Sequence, residues 1–107
     1  MKSILHALAE PNRLRIVELL RSGPLTVGEI AERLSFNQPQ TSKHLKVLSE
    51  AGVLLVEASA NRRIYRLSSK PFQELEAWAS SFRRDWEERM DRLDGYLQRL
   101  QQDGTER

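Results

Sequence analysis

The sequence contains no cysteine. Disulfides, thiolate metal sites, cysteine nucleophiles and thiol redox sensing are all excluded, and a reducing cytoplasmic setting fits. Histidine is nearly as scarce. His6 and His44 are the only two, and neither belongs to a compact His/Asp/Glu cluster, so no metal site is expected from them. Long apolar runs are missing too. The longest strongly apolar run is VLLV at 53–56, far short of a membrane span. The opening MKSILHALAE has the outline of a signal peptide. Its apolar stretch is short, contains His6 and leads straight into a helical pattern, so none is expected. There is no glycine-rich phosphate loop and no spacing that pairs Ser with His and Asp. Ser42 and His44, two apart on one helix, cannot face each other. An enzyme is not expected, nor any cofactor.

What is present is a chain of 107 residues, 39% hydrophobic and 30% charged, which suits one globular domain with exposed helices. Its net charge of +2 hides an asymmetry. Residues 1–70 hold eleven Lys and Arg against six Asp and Glu, whereas residues 71–107 hold six against nine. A basic body with an acidic tail favours a polyanionic partner for the body.

Helical punctuation dominates the first half. SILHALA at 3–9 is apolar at Ile4, Leu5 and Leu8, and Pro11 suits the first turn of a helix over 12–21. That helix carries Leu14, Val17 and Leu20 on one face, with Ile16 and Leu19 beside it, and Gly23-Pro24 stops it. TVGE at 26–29 is a capping box opening a helix with Val27, Ile30, Ala31 and Leu34 inward. After a break at Ser35-Phe36, Asn37 is an N-cap for a helix that Gly52 ends. VLLVEA and RIYRL then form a hairpin whose polar tip spans Ser59 to Arg62, with Asn61 able to take positive φ. Pro71 opens a long last helix, read as 71–103, with a tail at 104–107.

The helix after Asn37 has two sides. At 100° per residue, Thr41, Leu45 and Leu48 lie within about 60° of one another and seat it on the domain. Gln40, Lys43 and Lys46 point broadly away, His44 lies on the flank, and Gln38 projects from the tip. Amide, hydroxyl and ammonium groups in that arrangement suit base edges and phosphates in a major groove. Any surface helix is polar outside, so the neighbouring elements must decide. The hairpin tip supplies them with Asn61, Arg62 and Arg63, compact enough to enter a minor groove or clamp a phosphate.

Helix, helix, helix–turn–helix, hairpin and long helix describe a winged helix-turn-helix: mainly α with a small β-hairpin. Four segments then resemble the arsenic-repressor (ArsR-like) family: LAEPNRLRIVELL at 8–20, LTVGEIAERL at 25–34, NQPQTSKHLKVLSEAGVL at 37–54 and NRRIYRL at 61–67. The resemblance implies a homodimer that binds double-stranded operator DNA and usually represses transcription. It puts base contacts on Gln38, Gln40, Ser42, Lys43 and their neighbours Thr41, His44 and Lys46, and the wing on Asn61, Arg62 and Arg63. Metal-sensing members carry paired cysteines in the helix matching 26–34, or Asp/His ligands on the last helix. This chain has neither, and its tail PFQELEAWASSFRRDWEERMDRLDGYL at 71–97 resembles that of a metal-free subset.

From Phe72 the last helix places Leu75, Ala79, Phe82, Trp86, Leu93, Tyr96 and Leu100 at alternating steps of three and four, broken only at Arg89. Trp78 and Leu97 widen the stripe. A heptad seam of this kind calls for a partner helix. The dimer contacts expected are Ile4, Leu5, Leu8, Leu75, Trp78, Ala79, Phe82, Trp86 and Leu93. Two alternatives stay open: packing of the first turns on the chain's own core, and a small-molecule pocket lined by residues 78, 82 and 86. Gly95 marks a point where the final turns can fray or bend.

The sequence is therefore expected to hold a DNA-binding region over 1–70 (helix-turn-helix 26–51, wing 53–67) and, in the same domain, a dimerisation helix over 71–103. A winged-helix module using its long helix to bind another protein is the competing reading. Release from DNA is left to an organic ligand, a protein partner or concentration alone.

Overall fold

The computed structural model describes residues 1–105, with side chains to residue 102. In chain order the elements are α1 (Lys2–Leu8), α2 (Pro11–Leu20), β1 (Leu25–Thr26), α3 (Val27–Leu34), α4 (Gln38–Glu50), β2 (Leu54–Ser59), β3 (Arg62–Leu67) and α5 (Ser69–Thr105). They fall into two units, Met1–Glu74 and Leu75–Arg107. The expected tail at 104–107 is helical as far as Thr105, and its last two residues lie outside the described ones. Among the described residues no helix is long and apolar enough to cross a membrane.

The first unit is held by one core. α1 contributes Ile4 and Ala7, α2 Ile16, Val17 and Leu20, α3 Ile30 and Ala31, and α4 Leu45 and Leu48, all buried. Burying one such Leu or Ile side chain is worth about 1.5–3 kcal/mol. Val17 and Leu20 are buried as expected of α2, but Leu14 is 44% exposed and its place inward is taken by Ile16, which is fully buried. Arg13 fixes that geometry by donating from its guanidinium to the carbonyls of Ala7 and His6 at the end of α1. The Ala7 carbonyl is one that the helix end leaves without an intrahelical donor, and that of His6 also accepts from Ala9 N at 3.2 Å.

The sheet has a third strand that the sequence pattern does not announce. β1 pairs antiparallel with β3 through Leu25 opposite Tyr65 and Thr26 opposite Ile64, giving the order β1-β3-β2. β3 is thus the central strand, and the wing hairpin runs in register from Leu54 opposite Leu67 to Ser59 opposite Arg62. At its tip the left-handed residue is Ala60, with φ of 54°, rather than Asn61. The register leaves a two-residue loop, and here the first loop position takes the positive φ.

Both helices of the helix-turn-helix end in the same hydrogen-bonded cap. At the end of α4, Gly52 has φ of 80°, its N–H donates to Ser49 O and that of Val53 to Leu48 O. At the end of α3, Ser35 takes the left-handed position at φ of 56°, with Ser35 N to Glu32 O and Phe36 N to Ala31 O. This paired bonding satisfies the last carbonyls and reverses the chain direction.

The start of α5 belongs to the first unit. Pro71 is buried, and half-buried Phe72 lines a cavity of about 410 Å³ with Val17, Arg21 and Leu67. In the second unit α5 continues as helix through Gly95 to Thr105. Trp78, Phe82 and Trp86 are 45, 58 and 62% exposed, and the rings of Trp78 and Phe82 meet edge to face at 5.2 Å.

Candidate nucleic-acid interface

Three short segments build one open groove of about 810 Å³. The start of α3 brings Thr26 and Gly28, the outer face of α4 brings Ser42 and Lys46, and the wing brings Asn61, Arg62 and Arg63. Val56 and Tyr65 line it from the two wing strands. Each segment is held by local chemistry that the sequence encodes.

The start of α3 is fixed by a complete capping box. Thr26 Oγ1 accepts from Glu29 N at 3.3 Å, and Glu29 Oε1 accepts from Thr26 N at 3.1 Å. The Thr26 backbone N–H and hydroxyl both donate to Glu29, which holds its carboxyl below the ordinary carboxylate value against a smaller desolvation effect. The cations of Arg33 and Arg62 act in the same direction. Arg62 of the wing therefore lies within the electrostatic field of α3.

The start of α4 is fixed by Asn37, whose Oδ1 accepts from Gln40 N at 2.8 Å, with Pro39 in the first turn. The helix N-terminus carries partial positive charge at this end. Gln38, Gln40, Ser42, Lys43 and Lys46 are all exposed. Ser42 and Lys46 face the groove, whereas Gln38, Gln40 and Lys43 do not line it.

One expected contact is corrected. Thr41 has no exposed surface, and its hydroxyl donates to Asn37 O at 2.8 Å, so its side chain seats the helix instead of reaching outward. His44 lies on the flank as expected, where Nδ1 stands 3.7 Å from Glu10 Oε2, and its side chain is 21% exposed. On the wing, Arg66 pairs with Glu57 at 2.8 Å across the two strands. Residues the sequence pattern does not assign to the groove are Thr26, Val27 and Gly28, then Ser49 and Glu50 of α4, and Val56 and Tyr65 of the wing strands. The capping box is the available signal for the first three. The wing pair follows only from the sheet register.

Comparison with known proteins follows the same outline. Residues 8–57 match a family model described as a helix-turn-helix domain. Over 100 residues the chain is 37% identical to the HTH-type transcriptional regulator Rv2034 of Mycobacterium tuberculosis, covering 94% of this chain and 88% of that protein. It is 30% identical over 82 residues to the transcriptional repressor SdpR of Bacillus subtilis, covering 77% and 91%. The crystal structure of an ArsR family transcriptional regulator aligns with a TM-score of 0.73 at 30% identity, over 80% of this chain and 89% of that one. This chain belongs to the ArsR family of transcriptional regulators. The solution structure of the homodimeric winged helix-turn-helix DNA-binding domain of Mb0332 from Mycobacterium bovis aligns at a TM-score of 0.64 and 27% identity, over 76% and 75%.

The ArsR-family architecture leaves the expected dimer residues in different situations. Leu5 is 39% exposed, Leu8 and Leu75 are half-buried, and Trp78, Ala79, Phe82, Trp86 and Leu93 are exposed. Ile4 leaves the set. It is only 6% exposed, because α1 turns it into the chain's own core, where it has little surface left to offer a partner. Among the described residues no group of three or more His, Asp or Glu is gathered closely enough to hold a metal ion.

Proposed function

We propose that this ArsR-family chain is a homodimeric repressor that binds a quasi-palindromic operator. α4 enters the major groove, presenting Gln38, Gln40, Ser42, Lys43 and Lys46, and the wing tip Asn61, Arg62 and Arg63 meets the flanking backbone or minor groove. The observation that carries this reading is the shared groove, in which one helix N-terminus, an exposed helix face and three wing residues converge. Polyanion binding also agrees with the excess of basic residues over 1–70. The exposed apolar stripe of α5, together with Leu5 and Leu8, supplies the contact between protomers. Support for pairing comes from that stripe and from the homodimeric relative.

In this reading the protein performs no catalysis, and neither thiol nor metal triggers release. Two heads on one duplex face sit about 34 Å apart, one helical turn. Selection of bound fragments from random duplex tests the reading. Enrichment of a two-fold symmetric motif is expected, with affinity falling steeply as salt rises. Recovery of no motif, with binding equal on every sequence, sinks it.

A further inference from the structure

Outside the groove, the relationship with most to say about operator binding is between Glu10 and His44. Glu10 caps α2, where its Oε2 accepts from Arg13 N at 2.9 Å. The same oxygen stands 3.7 Å from Nδ1 of His44, an ion-pair distance for a protonated imidazole. Arg13 carries the linkage onward to the carbonyls of Ala7 and His6 in α1. One carboxylate thus connects the ends of two scaffold helices to the middle of α4.

That connection acts midway along α4, between the Asn37 cap at its start and the Gly52 cap at its end. Leu45 and Leu48 hold it by apolar contact, which is non-directional and resists rolling about the helix axis only weakly. His44 sits at the flank, between the buried line of Thr41, Leu45 and Leu48 and the exposed Lys43. The Glu10 carboxylate facing the imidazole at that flank opposes roll in one direction, and the roll decides which base edges Gln40, Ser42 and Lys43 meet. Desolvation works to raise the Glu10 carboxyl. It is outweighed by donation from the backbone N–H groups of Arg13 and Asn12 and by the charges of His44 and Arg13, so the group stays below its ordinary value. The partner facing His44 is therefore an anion.

We propose that Glu10 is a positioning residue: acting through His44, it sets the roll of α4 and so governs operator discrimination without touching DNA. The inference rests on the DNA-binding reading above.

Electrostatics alone makes the opposite forecast. Removing a carboxylate from a DNA-binding head raises affinity for every duplex and leaves discrimination alone. The test measures the ratio of affinities for the selected operator and a random duplex of equal length. It uses the full chain as wild type, Glu10→Gln, Glu10→Asp, His44→Gln and the Glu10→Gln/His44→Gln double variant, with a thermal melt of each. Gln keeps the cap oxygen without the charge. Asp keeps cap and charge but is one methylene too short to reach His44. Both Glu10 variants are expected to hold random-duplex affinity and to lower the ratio about three- to tenfold. The double variant is expected to be no worse than the poorer single one. If Glu10→Gln melts early, Glu10→Asp decides alone. A full ratio in the folded Glu10 variants overturns the proposal, as does additive loss in the double variant, which would mean that His44 acts on a base by itself. Failure of the wild-type chain to select any operator overturns the DNA-binding reading, and this inference falls with it.

Discussion

The guanidinium carbon of Arg15 sits 5.0 Å from the centre of the Phe36 ring. Arg15 lies on α2, and Phe36 in the turn between α3 and α4, so the cation covers the joint of the helix-turn-helix. A contact of this kind at an exposed site is worth about 0.5–1 kcal/mol. Arg15→Ala is expected to lose about that much in urea unfolding, and Arg15→Lys less, because the ammonium stacks less well on a ring. Equal losses in Arg15→Ala made on the wild-type and Phe36→Leu backgrounds would remove the ring from the account.

Ser35 occupies a left-handed position at the end of α3, where α4 uses Gly52. For a residue with a Cβ that conformation costs roughly 1–2 kcal/mol. Ser35→Gly is therefore expected to raise stability by up to about 1 kcal/mol, after the added freedom of the unfolded glycine is subtracted. A lower midpoint in thermal unfolding refutes this.

Lys43 and Arg62 are assigned different work, and their alanine variants separate it. Both are expected to weaken operator binding, but only Lys43→Ala alters the preferred bases, costing about 1–3 kcal/mol at the affected position. Arg62→Ala is expected to weaken all sequences alike and to reduce the salt slope by about one. Loss that is uniform over sequence for both variants contradicts the assignment.

Acid sensitivity follows from Glu10 and Glu29, whose carboxyls both lie below the ordinary value of 4.5. A depressed carboxyl adds stability that is complete above its unfolded value and disappears as pH falls through its folded one. Stability is thus expected to hold above 4.5 and to decline below it. Glu29→Gln flattens the acid limb of a melting-temperature profile while leaving a Glu at an unrelated exposed site without effect. A profile identical to wild type would falsify the linkage.

Trp86 is 62% exposed on the α5 stripe. Trp86→Asp leaves the first unit folded and is expected to convert dimer to monomer in sedimentation velocity. A variant that sediments as the wild type does rules out this seam as the contact.

The parts legible in the sequence are those whose cause is local. Thr26 with Glu29, Asn37 with Gln40 and Gly52 each act within a few residues, and all three appear where expected. The groove residues Ser42, Lys46 and Asn61 to Arg63 were also legible as types, although their convergence was not. What escaped depends on residues far apart in the chain. β1 is two residues long, too short to carry a period, and exists because Ile64 and Tyr65 come to lie beside it. The turning of His44 toward Glu10 belongs to the same class. Leu14 and Ile16 of α2 are equally apolar, so the sequence does not say which turns inward, and only the neighbouring helices choose between them.

The strand pairing of Thr26 with Ile64 has a mechanical consequence. Thr26 is at once the end of β1 and the cap of α3, and Ile64 is in the central strand of the wing. The middle of β3, from which the wing tip projects, therefore cannot shift without breaking a ladder that ends in the helix cap. A duplex arriving at this surface meets a hand whose thumb is already set. Little ordering entropy is left to be lost on contact, and association should show the small heat-capacity change of rigid docking rather than of coupled folding.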